Sequence, residues 1–191
     1  MKKSQSNSQK HVSCSGSAKW ILLASVAGVL GLTIFVILQS RPSKMIATKQ
    51  SDLIVGIEKR SPGRIERLVA ENYSDRWGFD REDAVNAIVD VGSQFLALVV
   101  TEDEKETVID GKEATVTARL TFGGNPVGPA GHEVVKRLNQ LDEPFVFTWK
   151  KESFLPASWR LVRIDNASLP DDLWGYEPGD IRRAMQGDIE F

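Results

Sequence analysis

The sequence predicts an α+β protein, in which an N-terminal transmembrane helix precedes a domain with helices packed on a curved antiparallel sheet. Two observations lead to this prediction. Residues 20–38 contain no charged side chain. Beyond residue 46, apolar residues first recur at helical spacing, and after residue 95 they alternate as they do in strands. Helices followed by a run of strands are typical of the α+β class.

The uncharged run is the sequence WILLASVAGVLGLTIFVIL, residues 20–38. At 1.5 Å per residue this helix would be about 28 Å long, close to the hydrocarbon thickness of a bilayer. The run is longer than the apolar part of a signal peptide, and Arg41 and Pro42 follow it in place of a cleavage pattern. We therefore expect a retained single-pass anchor that contacts membrane lipid.

Charge is distributed unevenly around this run. Residues 1–44 contain six Lys or Arg and no acid, whereas the rest of the chain contains 18 Lys or Arg and 26 Asp or Glu. A basic tail favours an inner-membrane protein with its N-terminus in the cytoplasm and its domain on the periplasmic or extracytoplasmic side. An acidic domain without a basic stripe is not expected to bind nucleic acid.

The predicted organisation has five parts. Residues 1–19 are rich in Ser, Gln and Lys and are predicted to be a disordered cytoplasmic tail. The transmembrane helix follows, and a connector at 39–45 leads to a domain at 46–166 and a C-terminal extension at 167–191. Since the only cysteine, Cys14, lies in the tail, the domain must be held by its core without a disulfide.

Helical signals come first in the domain. Apolar spacing predicts one helix over 46–60. Ser61 followed by Pro62 is a helix start, and the spacing continues to about residue 73. Asp80 with Asp83 resembles a capping box and begins a third helix, whose apolar stripe extends to Phe95.

Strand signals come next. The run LALVV (96–100) precedes the acidic stretch TEDEKE, and Asp110-Gly111 is a strong hairpin signal. In the second arm of this hairpin, alternate residues share one face: Val116, Ala118, Leu120 and Phe122. Glycine and proline predict a loop over 123–131, and one or two helical turns follow it. Two further strands are predicted, at 145–150 and 159–164.

The helical segment IVGIEKRSPGRIERLVAENYSD and the strands ATVTARLTF, FVFTWKKES and SWRLVRID resemble the nuclear transport factor 2-like (NTF2-like) superfamily. This cone-shaped fold is shared by ketosteroid isomerases, polyketide cyclases and many non-catalytic domains, and the resemblance covers roughly residues 46–166. It implies a cavity inside the cone. The segment YSDRWGFDREDA is too short for the hairpin that carries a catalytic group in family enzymes, and Asp75 is the nearest counterpart.

The candidate ligand-binding residues in such a cavity are Tyr73, Asp75, Trp77, Arg119 and Trp149. Burial near aromatic rings would raise the pKa of Asp75, as a general base requires, but Asp75 also fits a capping role. Arg119 fits either an anion site or cross-strand pairing on a wet face. Trp149 fits either an aromatic pocket with Trp159, Trp174 and Tyr176 or the core.

No catalytic residue, metal site or cofactor is assigned. With only His11 and His132 in the chain, neither a histidine metal site nor a Ser-His-Asp arrangement is expected. The favoured hypothesis is a membrane-anchored, non-catalytic domain for protein interaction or assembly at the cell envelope, as a homodimer or with an envelope partner. The alternative is a small-molecule binder or an isomerase or cyclase, in which Tyr73, Asp75 and Arg119 would point into one pocket of a few hundred cubic ångströms.

Overall fold

The computed structural model describes residues 25–26, 28–31, 41–181 and 183, and the chain divides into two compact units, Met1–Ser40 and Arg41–Phe191. The described residues of the first unit are helical. No helix among the described residues is both long and apolar enough to span a bilayer. The predicted tail and most of the predicted span at 20–38 lie outside these residues, and the anchor stays a prediction.

The first helix of the domain, α1, is Pro42–Glu58. It begins four residues earlier than predicted because Pro42 occupies a first-turn position, where its missing N–H costs nothing. One side of α1 is buried against the sheet through Ile46, Leu53, Ile54 and Ile57.

The second predicted helix is much shorter than expected: α2 is only Pro62–Glu66. The chain then runs alongside the last strand, where the amide of Ala70 donates to the carbonyl of Leu161 (2.9 Å) and that of Leu161 to Leu68 (2.8 Å). The predicted extension to residue 73 was wrong because apolar spacing does not reveal that this main chain pairs with a strand edge.

The third helix, α3, is Arg81–Ser93, and its capping box is confirmed. The amide of Asp83 donates to Asp80 Oδ1 (3.0 Å), and the amide of Asp80 donates to Asp83 Oδ2 (3.4 Å). Phe95, predicted to end the apolar stripe of this helix, instead begins the first strand.

Four antiparallel strands form one sheet in sequence order: β1 Phe95–Asp110, β2 Glu113–Pro126, β3 Phe145–Lys151 and β4 Trp159–Asp165. The α+β class is therefore confirmed. The hairpin at Asp110-Gly111 is also confirmed, with Asp110 opposite Glu113 and Gly111 in the left-handed region (φ 56°). β1 continues through TEDEKE because it is an edge strand, where exposed charges are tolerated and discourage further pairing.

The predicted loop at 123–131 is mostly regular structure. Its first residues complete β2, and α4 is Gly128–Asn139. Gly124 shows why this stretch contains glycine: its φ is 110°, and a Cβ there would overlap the carbonyl oxygen of Ala97 in β1. The glycine thus permits a close approach of two strands. Composition alone does not distinguish a glycine with this function from a glycine in a loop.

The direction of α1 along the sheet follows from two hydrogen bonds. Gln50, in the middle of the helix, accepts from Trp149 Nε1 (3.1 Å), close to the end of β3. Glu58, at the end of the helix, accepts from the amide of Val100 (3.0 Å), close to the start of β1. The start of α1 therefore lies at the end of the sheet where the β1–β2 and β3–β4 hairpins turn.

Candidate functional site

A cavity of about 550 Å³ lies on the inner face of the sheet. The strands supply an apolar wall made of five side chains: Leu120, Phe122, Phe145, Phe147 and Ile164. Residues of β2 and β3 reach this wall because alternate side chains of a strand share one face. The alternation that the sequence predicts for β2 therefore places Leu120 and Phe122 in this wall.

Two helices supply further walls. α3 contributes residues at i, i+3, i+4 and i+7, the spacing of one helix face: Ala84, Ala87, Ile88 and Val91. The two alanines leave space that larger residues would fill. α4 contributes Glu133, Val134, Arg137 and Leu138. The Arg137 Nε lies 2.9 Å from Glu133 Oε1, and this pair stands at the cavity rim.

The C-terminal segment supplies the remaining wall through Leu169, Leu173, Trp174, Gly175, Tyr176 and Ile181. It is held by Asp90 of α3, whose side chain is 1% exposed. Asp90 Oδ2 accepts from the Tyr176 hydroxyl (3.0 Å) and from the amide of Gly179 (2.7 Å). A buried carboxylate is stabilised by such donors, and these two hydrogen bonds attach the segment to α3. Burial and the Asp90 charge raise the pKa of Tyr176.

Trp174 forms part of the rim. Its backbone is left-handed (φ 59°), its amide donates to Asp172 Oδ1 (3.1 Å), and its side chain remains 52% exposed. The guanidinium carbon of Arg137 lies 5.2 Å from the centroid of the Trp174 ring, a cation–π distance. α4 and the C-terminal segment therefore meet at this side of the cavity.

Tyr73 and Asp75 bring polar groups to the cavity. The Tyr73 hydroxyl donates to Asp75 Oδ2 (3.0 Å) and accepts from the amide of Ile164 (3.2 Å). Asp75 Oδ1 accepts from the amides of Trp77 and Phe79, both at 3.0 Å. Asp75 thus shapes the turn after Tyr73, the capping alternative considered above, and it also lines the cavity together with Trp77.

The surroundings shift the pKa of both acidic groups in this pair. Burial raises the pKa of Asp75, outweighing the hydrogen bonds from Phe79, Tyr73 and Trp77, which lower it. Burial also raises the pKa of Tyr73, and the neighbouring Asp75 charge raises it further. The raised pKa of Asp75 has the direction expected from the sequence.

Arg119 is not at the cavity. It lies on the outer face of β2, opposite to Leu120, because neighbouring strand residues point to opposite sides. Its Nη1 and Nη2 donate to the carbonyls of Leu141 (3.2 Å) and Asp142 (2.9 Å), and its Nε lies 3.4 Å from Glu104 Oε2 in β1. The structure thus shows the cross-strand pairing alternative, and Tyr73, Asp75 and Arg119 do not converge on one pocket.

Trp149 is also absent from the cavity wall. It is fully buried beneath α1, where its Nε1 donates to Gln50; Gln50 Nε2 in turn donates to Glu102 Oε1 (2.8 Å). Trp159 is likewise core. The proposed aromatic group therefore divides, with two tryptophans in the core and Trp174 and Tyr176 at the cavity.

The sequence predicted one or two helical turns where α4 lies, but not its start within 123–131, and it did not identify Asp90 as the anchor of the C-terminal segment. The apolar pair Val134 and Leu138, four residues apart, was the available signal for α4. Nothing local marks Asp90 as the partner of Tyr176. His132 is exposed, with Nδ1 2.8 Å from the carbonyl of Gly128. Across the described residues, no group of three His, Cys, Asp or Glu side chains is placed to hold a metal ion.

The architecture defines a class, an α+β domain whose helices pack on a four-stranded antiparallel sheet. No family model matches the sequence, and no curated protein matches it either. Similar solved structures include Bd1075 of Bdellovibrio bacteriovorus (10% identity, TM-score 0.48), where the match covers 64% of this chain and only 40% of Bd1075.

Two further similar structures are covered over most of their length. An NTF2-like protein from Cytophaga hutchinsonii is 14% identical, with coverage of 64% and 93% of the two chains and a TM-score of 0.44. The hexachlorocyclohexane dehydrochlorinase LinA-type3 from Novosphingobium barchaimii is 13% identical, with coverage of 64% and 82% and a TM-score of 0.47. These neighbours thus include both a protein named for its fold and a named enzyme.

Proposed function

We propose that this chain is a membrane-anchored, NTF2-like domain that binds a small, mostly apolar molecule without transforming it. The observation that carries this proposal is the cavity of about 550 Å³ with its apolar walls. Concave sites of a few hundred cubic ångströms, mostly apolar with a few placed polar groups, are typical of small-molecule binding. Tyr73 and Asp75 supply such polar groups at the cavity wall.

The hydrogen bonding of Asp75 favours binding over catalysis. Its two oxygens already accept three hydrogen bonds within the chain, from Tyr73, Trp77 and Phe79. A carboxylate held in this way maintains a turn. The isomerase or cyclase alternative requires Asp75 to accept a proton from a substrate, for which its raised pKa is favourable. Under our proposal the Asp75→Asn variant still binds the ligand, and neither the wild type nor the variant converts it.

The membrane part of the proposal is supported by the uncharged run at 20–38 and by the basic, acid-free residues before it. We place the N-terminus in the cytoplasm and the domain on the other side of an inner membrane. We further propose that the domain forms a homodimer or a complex with another envelope protein. Crosslinking in native membranes tests it, and recovery of monomer alone would contradict it.

The cavity is tested with residues 41–191, which form a compact unit with its own core. The probe is N-phenyl-1-naphthylamine, a neutral apolar dye that fluoresces when bound. Ala87→Trp places an indole in the cavity and should weaken dye binding at least about tenfold, because the occupied volume is no longer available. Ala157→Trp adds the same group at an exposed position in the β3–β4 loop and serves as the matched control.

Dye binding by the Ala87→Trp variant that equals that of the Ala157→Trp variant would contradict the cavity proposal, provided both variants unfold cooperatively. The anchor is tested separately by flotation of the full chain with vesicles on a density gradient. Full-length protein that stays at the bottom of the gradient would contradict the membrane proposal and leave the cavity proposal intact.

A further inference from the structure

The loop between β3 and β4 displays two large apolar side chains to solvent. Phe154 is 88% exposed and Leu155 is 55% exposed. Hydrogen bonds within the loop hold this conformation: the Ser158 hydroxyl donates to the carbonyl of Leu155 (2.7 Å), and the amide of Ser153 donates to Ser158 Oγ (3.1 Å). Adjacent apolar residues displayed by a structured loop are available to contact another surface.

This loop lies at the same end of the domain as the start of α1. The Gln50–Trp149 hydrogen bond places the middle of α1 beside the last residues of β3. Pro42 precedes Gln50 by eight residues, which carries the helix about 12 Å further towards the hairpin end. The two hairpins are joined there, because the amide of Lys151 donates to the carbonyl of Lys112 (2.8 Å).

Chain length then limits how far this end can be from a bilayer. Three residue steps separate position 38, the end of the proposed span, from Arg41, the first residue of the domain. Fully extended, three steps reach about 11 Å at most. If residues 20–38 span the membrane, the start of α1 is therefore held beside the headgroup layer.

The charge of this end also suits a lipid surface. Segments 41–49, 110–113 and 150–160 together contain seven Lys or Arg and three Asp or Glu. The rest of residues 41–191 contains 13 Lys or Arg and 23 Asp or Glu. The hairpin end is thus basic on an otherwise acidic domain, and basic residues are attracted to anionic headgroups.

We infer that Phe154 and Leu155 enter the headgroup layer of an anionic bilayer, so that the β3–β4 loop is a second membrane contact beside the anchor. Apolar side chains near basic residues are a combination that binds membrane interfaces. Lys150 and Lys151 lie directly before the loop and supply the electrostatic part. This inference rests on the proposed anchor, since the anchor brings this end to the membrane.

The test uses the full chain in phosphatidylcholine–phosphatidylglycerol vesicles, on a Cys14→Ser background. A single cysteine is introduced by Phe154→Cys and labelled with a nitrobenzoxadiazole fluorophore. The matched control is Leu96→Cys, because Leu96 is an apolar residue, 73% exposed, near the opposite end of the sheet. Acrylamide quenches labels exposed to water, and nitroxide-bearing lipids quench labels within the bilayer.

We expect at least about threefold weaker acrylamide quenching at position 154 than at position 96, with nitroxide quenching at position 154 alone. Replacing both lysines, Lys150→Glu and Lys151→Glu, should reduce this difference. Equal quenching at the two positions would overturn the inference. So would a label at position 154 that is shielded from acrylamide but untouched by the nitroxide lipids, because a protein surface would then cover the loop.

Flotation of the same samples separates the two proposals. Protein that floats with the vesicles but shows equal quenching retains the anchor and overturns only the loop contact. Protein that does not float contradicts the anchor and overturns the loop contact with it.

Discussion

Tyr176→Phe should release the C-terminal segment from α3 while leaving the sheet unchanged. The substitution removes one hydroxyl, whose only described acceptor is the buried carboxylate of Asp90 at 3.0 Å. A hydrogen bond to a charged group contributes about 1.5–3 kcal/mol net. Asp90 keeps its bond from the amide of Gly179 (2.7 Å), so we take about 2 kcal/mol, in the lower half of this range.

Hydrogen exchange of the Gly179 amide reports this effect, because that amide donates to the same Asp90 carboxylate and exchanges when the segment opens. If exchange proceeds through local opening of the segment, a loss of about 2 kcal/mol accelerates it about 30-fold. The matched control is Tyr73→Phe, which removes the other tyrosine hydroxyl of the cavity and its bond to Asp75. Gly179 exchange should be unchanged in that variant.

If hydrogen exchange at Gly179 accelerates less than about threefold in the Tyr176→Phe variant, the Asp90–Tyr176 hydrogen bond does not hold this segment on α3. The same conclusion follows if amides of β2 and β3 accelerate equally, because the substitution would then act on global unfolding. Acceleration confined to Gly179 instead supports local opening of the C-terminal segment while the sheet stays folded.

Three further predictions concern the core, the cavity acid and the sheet. Gln50→Leu leaves the buried Trp149 Nε1 without an acceptor and should lower the free energy of unfolding, measured in urea, by about 2–3 kcal/mol. Adding Trp149→Phe should recover part of this loss. Strictly additive effects of the two substitutions would contradict the coupling. Since burial raises the pKa of Asp75 in the folded state, the free energy of unfolding should fall as pH rises from about 3.8 through that raised pKa. Urea titrations at successive pH values measure this slope, and Asp75→Asn should remove it. An unchanged slope in the variant would refute Asp75 as its source. Gly124→Ala should lower the free energy of unfolding by about 3 kcal/mol, because its Cβ would overlap the carbonyl of Ala97 at a left-handed φ. Gly123→Ala is the control, since the space around its Cβ is open, and it should differ little from wild type in thermal unfolding.

Local patterns in the sequence predicted those elements whose determinants are themselves local. The capping box at Asp80 and Asp83 and the hairpin at Asp110-Gly111 depend on residues within four positions of each other, and both are confirmed. The alternation in β2 also predicted its inner face correctly, because one buried side of a strand is sufficient to produce the pattern.

The errors occurred where distant contacts decide the structure. Leu68, Val69 and Tyr73 have helical spacing, yet the main chain there pairs with Leu161, some ninety residues later in sequence. The glycines of 123–131 were taken for a loop, whereas Gly124 allows two strands to approach.

The candidate site shows the same division. Tyr73, Asp75 and Trp77 were identified because they are close in sequence and chemically matched, and all three line the cavity. Arg119 and Trp149 were grouped with them by residue type, although strand alternation turns Arg119 outward and the contact with Gln50 keeps Trp149 in the core. The wall from the C-terminal segment depends on Asp90, which no local pattern connects to Tyr176.

The share of the wall that the C-terminal segment supplies makes the residues after Ser168 decisive for how far the cavity is enclosed. A premature stop or a proteolytic cut after Ser168 would spare β1–β4 and α1–α4, yet it would remove six of the residues that line the cavity. A shortened form would therefore resemble the intact protein in its circular dichroism spectrum while having lost one whole side of the cavity.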